Sequence, residues 1–69
     1  MRSTVIMERI EELMKQRGIK ATQLSFAIGV STGNISDWRR GRSKPSLDAL
    51  IAIADYFDVS LYYLCGRKA

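Results

Sequence analysis

The 69-residue chain predicts an all-α fold of five short helices. Three observations lead there. Apolar residues recur at helical spacing in five segments. No segment shows the apolar–polar alternation of a half-buried strand. Serine or threonine precedes most of these segments, and glycine follows most of them, which is the order of helix caps and stops.

The elements follow in order. Helix one is expected over about Thr4 to Arg17, with Ser3 or Thr4 as its N-cap. Its buried stripe is Ile6, Ile10, Leu13 and Met14. Glu8, Glu11 and Glu12 lie in its early turns and Lys15 and Arg17 in its last, which complements the macrodipole. Gly18 stops it. Helix two runs from about Ala21 to Ile28, with Leu24, Ala27 and Ile28 facing inward, and Gly29 ends it. Ser31 caps helix three, about Thr32 to Arg40. Pro45 closes the loop that follows, because it disfavours helix at Lys44. Ser46 caps helix four, with Asp48 in its first turn and an apolar stripe of Leu47, Leu50, Ile51, Ala54 and Phe57. Ser60 caps a short helix five, about Leu61 to Cys65, and Gly66 closes it.

Composition narrows the functional classes. At 46% hydrophobic the chain is globular rather than disordered. Its length is that of one domain, residues 1–69, so ligand sensing within these residues is not expected, and they could be the N-terminal piece of a longer regulator. With one cysteine (Cys65) and no histidine it has no internal disulfide, and no metal site is expected. Cys65 reads as a small semi-buried apolar group, and Met1, Met7 and Met14 as core or terminus filler. There is no convincing nucleophile–base pair, and Gly29-x-x-x-Gly33 is not a Walker sequence. An enzyme is therefore not expected, nor any cofactor or small-molecule ligand. The longest apolar run, Ala49 to Ala54, is too short to span a bilayer, and no secretory signal opens the chain, so the cytoplasm is the expected location.

The net charge of +4 is unevenly distributed. Between Leu13 and Leu47 stand Lys15, Arg17, Lys20, Arg39, Arg40, Arg42 and Lys44, against Asp37 alone. A basic middle between more acidic flanks suits a polyanion.

The window from Ala21 to Ser46 gives that charge a purpose. Gly29 permits the positive φ of a sharp corner, and Val30 inserts between the two helices. On helix three, Ile35 and Trp38 project inward. Gly33, Ser36, Asp37 and Arg40 point outward, with Thr32 and Asn34 on the flanks. This face is small and polar, as a helix entering the major groove requires. A helix meant for a protein groove would show apolar anchors. Arg39-Arg40-Gly41-Arg42-Ser43-Lys44 follows where a phosphate strand would pass.

These residues resemble the phage-repressor-type (Cro/C1-type, xenobiotic-response-element-type) helix-turn-helix family. The resemblance runs from about Ile6 to Gly66. It rests on Leu24, Ile28-Gly29-Val30-Ser31, Ile35-Ser36, Trp38, Arg40-Gly41, Pro45-Ser46, Leu50, Ile53-Ala54 and Val59-Ser60-Leu61 with Tyr63-Leu64-Cys65-Gly66-Arg67. It implies a compact, lambda-repressor-like five-helix domain with the helix-turn-helix at helices two and three. The implied function is a transcriptional regulator of bacterial or phage origin, a repressor by expectation, that binds a palindromic double-stranded operator as a homodimer. Carried over by position, base-reading falls on Thr32, Gly33, Ser36 and Asp37. Phosphate binding falls on Asn34, Arg40, Arg42 and Lys44, with Lys20 or Thr22 compensating for Ala21 at the start of helix two.

Three positions depart from the family pattern. An Arg late in helix one paired with a Glu near the end of helix three is replaced by Met14 and Arg39, and Arg39 needs a partner in Glu11 or a phosphate. Asp37 puts a carboxylate on the reading face. It either accepts from a cytosine N4 amino group or braces Arg40, with bracing slightly favoured. Gly33 has no side chain to read a base, which shifts weight to Thr32, Ser36 and DNA shape. Tyr56, Tyr62 and Tyr63 cluster with Phe57 as core rim or as a dimer contact in the C-terminal region. The alternative function is a protein-interaction adaptor or antitoxin on the same fold, with those tyrosines as its docking surface.

Overall fold

A computed structural model describes residues 3–66. Five α-helices follow in order: α1 Ser3–Arg17, α2 Ala21–Ile28, α3 Thr32–Arg40, α4 Leu47–Phe57 and α5 Leu61–Leu64. Among the described residues there is no strand. α2 packs on α3 and α4, while α1 packs on α3 and α5, and α4 and α5 meet. The core lies where these contacts converge. Ile10, Leu24, Ile35, Ile53, Phe57 and Leu64 are its fully enclosed side chains, and Ile6, Met7, Leu13, Met14, Trp38 and Leu50 surround them.

Serine caps three of the helices as expected. Ser31 Oγ accepts from the Asn34 N–H (3.0 Å), Ser46 Oγ from Ala49 (3.1 Å) and Ser60 Oγ from Tyr63 (3.0 Å). α2 has no such residue before it. There the Gln23 side-chain oxygen accepts from the Lys20 N–H at 2.8 Å. α1 is already helical at Ser3, one residue earlier than expected, so its cap lies outside the described residues.

Four helix ends share one construction. The chain turns left-handed at Gly18, Gly29, Gly41 and Asp58, with φ of 65°, 76°, 74° and 57°. The next residue donates its N–H to the carbonyl five positions back: Ile19 to Met14, Val30 to Ser25, Arg42 to Asp37 and Val59 to Ala54, all within 2.8–3.0 Å. After α1, α2 and α4 that residue is apolar and packs on the core, which fixes where the next helix starts. After α3 it is Arg42, exposed. Here alone among these four ends the chain gives up its apolar anchor for a cation.

Three apolar residues lie elsewhere than the sequence pattern suggests. Ala27 is exposed, and Ser25 is buried in its stead. Ser25 lies next to Leu24 on the face that Ile28 continues, and its hydroxyl is satisfied within the helix by donating to the Thr22 carbonyl at 2.8 Å. Leu47 and Ile51, expected in the α4 stripe, are 63% and 44% exposed. They form one edge of α4, one turn apart, beyond the face that Ala49, Leu50, Ile53, Ala54 and Phe57 bury. α5 ends at Leu64, one residue before Cys65, which is free and half-buried. Met7 and Met14 are core residues, and Met1 lies outside the described residues.

Candidate nucleic-acid interface

α3 is held by two large side chains, Ile35 (1% exposed) and Trp38 (6%). They sit three residues apart on its inner face, so the opposite face turns to solvent. Thr32, Gly33 and Asn34 are exposed at its N-terminal end, and Ser36 and Asp37 are half-buried further along. The left-handed Gly29 sets the corner from which α3 departs. A Cβ added there meets nothing within 4 Å, so backbone strain and not crowding is what disfavours any other residue. Gly33 is different. Its backbone is helical, and a Cβ there would meet only Ser31 Oγ, at an ordinary 3.6 Å. The fold itself does not require this glycine.

Arg40, Arg42 and Lys44 are all exposed at the C-terminal end of this face. Among the described residues, the one ion pair joins Arg39 Nε to Glu11 Oε1 at 2.7 Å. Arg40, Arg42 and Lys44 are thus left with their charge uncompensated at close range. Two of the three cations of α1 are engaged elsewhere, Lys15 being exposed: the Arg9 guanidinium lies 4.7 Å from the Tyr63 ring centre and that of Arg17 lies 5.6 Å from Phe57. Lys20 and Thr22 are exposed at the start of α2, with Ala21 half-buried between them.

Two departures from the family pattern resolve. Arg39 takes Glu11 as its partner, across a depression of about 280 Å³ between α1 and the end of α3. Asp37 does not brace Arg40, contrary to the slight preference above, and takes part in no ion pair among the described residues. The physical reason is that an exposed arginine gains little from such a pair in water. A further participant carries no side-chain signal: the Asp37 carbonyl receives the Arg42 N–H and so sets where the basic loop leaves α3. Of the tyrosines, Tyr63 is half-buried on the core rim, while Tyr56 (39%) and Tyr62 (65%) are exposed.

The helix-turn-helix family profile matches residues 10–64. The chain belongs to the helix-turn-helix family. Among its relatives is the HTH-type transcriptional regulator DdrOP3 of Deinococcus deserti, 33% identical over 83% of this chain and 44% of that protein. Another is the cryptic phage CTXphi transcriptional repressor RstR of Vibrio cholerae, 31% identical over 93% of this chain and 57% of that one. The chain thus spans about half the length of these curated relatives. Among solved structures, the DNA-binding domain of the P22 c2 repressor superposes with a TM-score of 0.80 at 31% identity, covering 94% of this chain and 86% of that one. A transcriptional regulator from Listeria innocua gives 0.81 at 30% identity, covering 93% and 60%. The family's five-helix architecture is that of this chain, with the helix-turn-helix at α2 and α3.

Proposed function

We propose that the chain is a sequence-specific, double-stranded DNA-binding transcriptional regulator, acting as a repressor, that lays α3 in the major groove. The observation that carries this is one continuous surface: the short polar face of α3 runs directly into three exposed cations that have no carboxylate partner among the described residues. Thr32, Gly33, Ser36 and Asp37 meet base edges. Asn34, Arg40, Arg42 and Lys44 hold the phosphate strand past the end of α3, and Lys20 and Thr22 hold phosphate at the start of α2. Among similar structures is a P22 c2 repressor in complex with a synthetic operator, which supports operator binding by a domain of this fold. No catalytic role is part of this proposal.

The 69 residues act as a single DNA-binding domain, and two copies read a palindromic operator as a homodimer in a bacterial cytoplasm. Exposed Leu47, Ile51 and Tyr62 support pairing through the C-terminal region. Half-sites then fall about one helical turn apart. The second reading, a protein-interaction module, draws on Phe26, which is 91% exposed on α2.

Charge reversal at Arg40 and Arg42 separates the two. The double variant R40E/R42E is expected to keep its helical circular dichroism and lose duplex binding. Undiminished duplex binding by the folded variant would overturn the proposal in favour of the interaction module.

A further inference from the structure

Asp37 stands on the one surface of the molecule where a negative charge is most costly to DNA binding. It is half-buried on α3 and belongs to no ion pair among the described residues, so bracing of a neighbouring arginine does not account for it. Gly33 lies four residues before it, one turn away on the same face. Side chains on a helix lean toward its N-terminus, which directs a side chain at position 37 toward the turn that holds Gly33. That backbone is helical and has room for a Cβ, yet carries none. These are two local irregularities, an unpaired carboxylate and a glycine the fold does not need, and they are adjacent.

We propose that Gly33 and Asp37 together read a C·G base pair. This rests on the DNA-binding reading above and names the base at that site. The missing Cβ at Gly33 lets α3 approach the base edges closely enough for a short side chain. The Asp37 carboxylate then accepts a hydrogen bond from the cytosine N4 amino group. In the major groove, guanine offers only acceptors and thymine an acceptor and a methyl group, while adenine sets its amino donor beside the N7 acceptor. Cytosine alone offers a donor with no acceptor on the same base. On any other sequence the carboxylate faces acceptors and phosphates without compensation. Asp37 therefore lowers affinity for non-cognate DNA and widens the gap between cognate and non-cognate sites. The hydroxyls of Thr32 and Ser36 both donate and accept, so they discriminate less.

The test is selection of bound duplexes from a random pool, run in parallel with the wild-type 69-residue chain, D37A and D37N. Binding of each protein to one non-cognate duplex is measured at fixed salt. The wild-type motif should contain a fixed C·G pair in each half-site, and changing it should weaken binding about 5- to 100-fold. D37A should lose the preference in that column and keep the others, and D37N should move it toward adenine. Both variants should bind the non-cognate duplex more tightly than wild type, by a margin that shrinks as salt rises. A D37A motif identical to wild type, or a wild-type motif without a fixed C·G pair, would overturn the inference alone. A wild-type selection that enriches no motif would overturn the DNA-binding reading itself. Circular dichroism melts of the two variants identify any loss of fold.

Discussion

Replacing Gly33 with alanine should improve the fold and impair binding at once. Gly33 follows the Ser31 cap by two residues, in helical backbone. The added Cβ would find Ser31 Oγ at 3.6 Å and nothing nearer. Alanine is better than glycine in a helix by roughly 0.5–1 kcal/mol, and a position so close to the helix start belongs at the lower figure. In a domain of this size 1 kcal/mol moves the melting temperature by about 4–8 °C, so a rise of about 2–4 °C is expected. The same methyl group projects from the face assigned to base edges. Loss of the closest approach should weaken duplex binding by about fivefold or more, comparable to the loss of one base contact. Thermal melting followed by circular dichroism and duplex titration followed by fluorescence anisotropy measure the two effects on one sample. A lowered melting temperature would mean that the glycine serves the fold. Unchanged duplex affinity would mean that α3 makes no close approach there.

Two further substitutions test the framework. Ile53→Ala empties a fully buried site where α4 meets the core. It should cost about 2–5 kcal/mol, a large share of the stability of so small a domain, and chemical denaturation should show the midpoint collapsing. Glu11→Gln breaks a pair whose side chains are 41% and 48% exposed, so its cost should stay below about 1 kcal/mol in the same assay. A loss well above that would make the pair a structural brace.

The core was legible because α1 and α3 carry narrow, regular stripes. Ile10, Leu13, Ile35 and Trp38 could be placed by spacing alone, and so could the serine caps. Spacing does not give the width of a buried face, which depends on how many neighbours a helix has. α4 buries the side that meets α2 and α5, and leaves Leu47 and Ile51 at its edge. On α2 the error was one of polarity: Ser25 reads as a surface residue, yet its hydroxyl bonds within its own helix and it buries at little cost. The left-handed turn at Asp58 was hidden because glycine usually marks such a turn. In the candidate interface, the helical wheel placed Arg39 at the core edge with Glu11 or a phosphate as its partner, and the ion pair with Glu11 decides between them. The state of Asp37 did not, because a spacing that permits an ion pair with Arg40 does not decide whether water is the better partner.

A basic surface built on α3 and its loop that neutralises DNA phosphates must make binding depend steeply on salt. The most direct measurement is duplex affinity across a salt series. If about four phosphates are neutralised per subunit, the plot of log affinity against log salt should fall with a slope of roughly −7 for a dimer. A duplex affinity that barely changes with salt would mean that this surface does not neutralise phosphates.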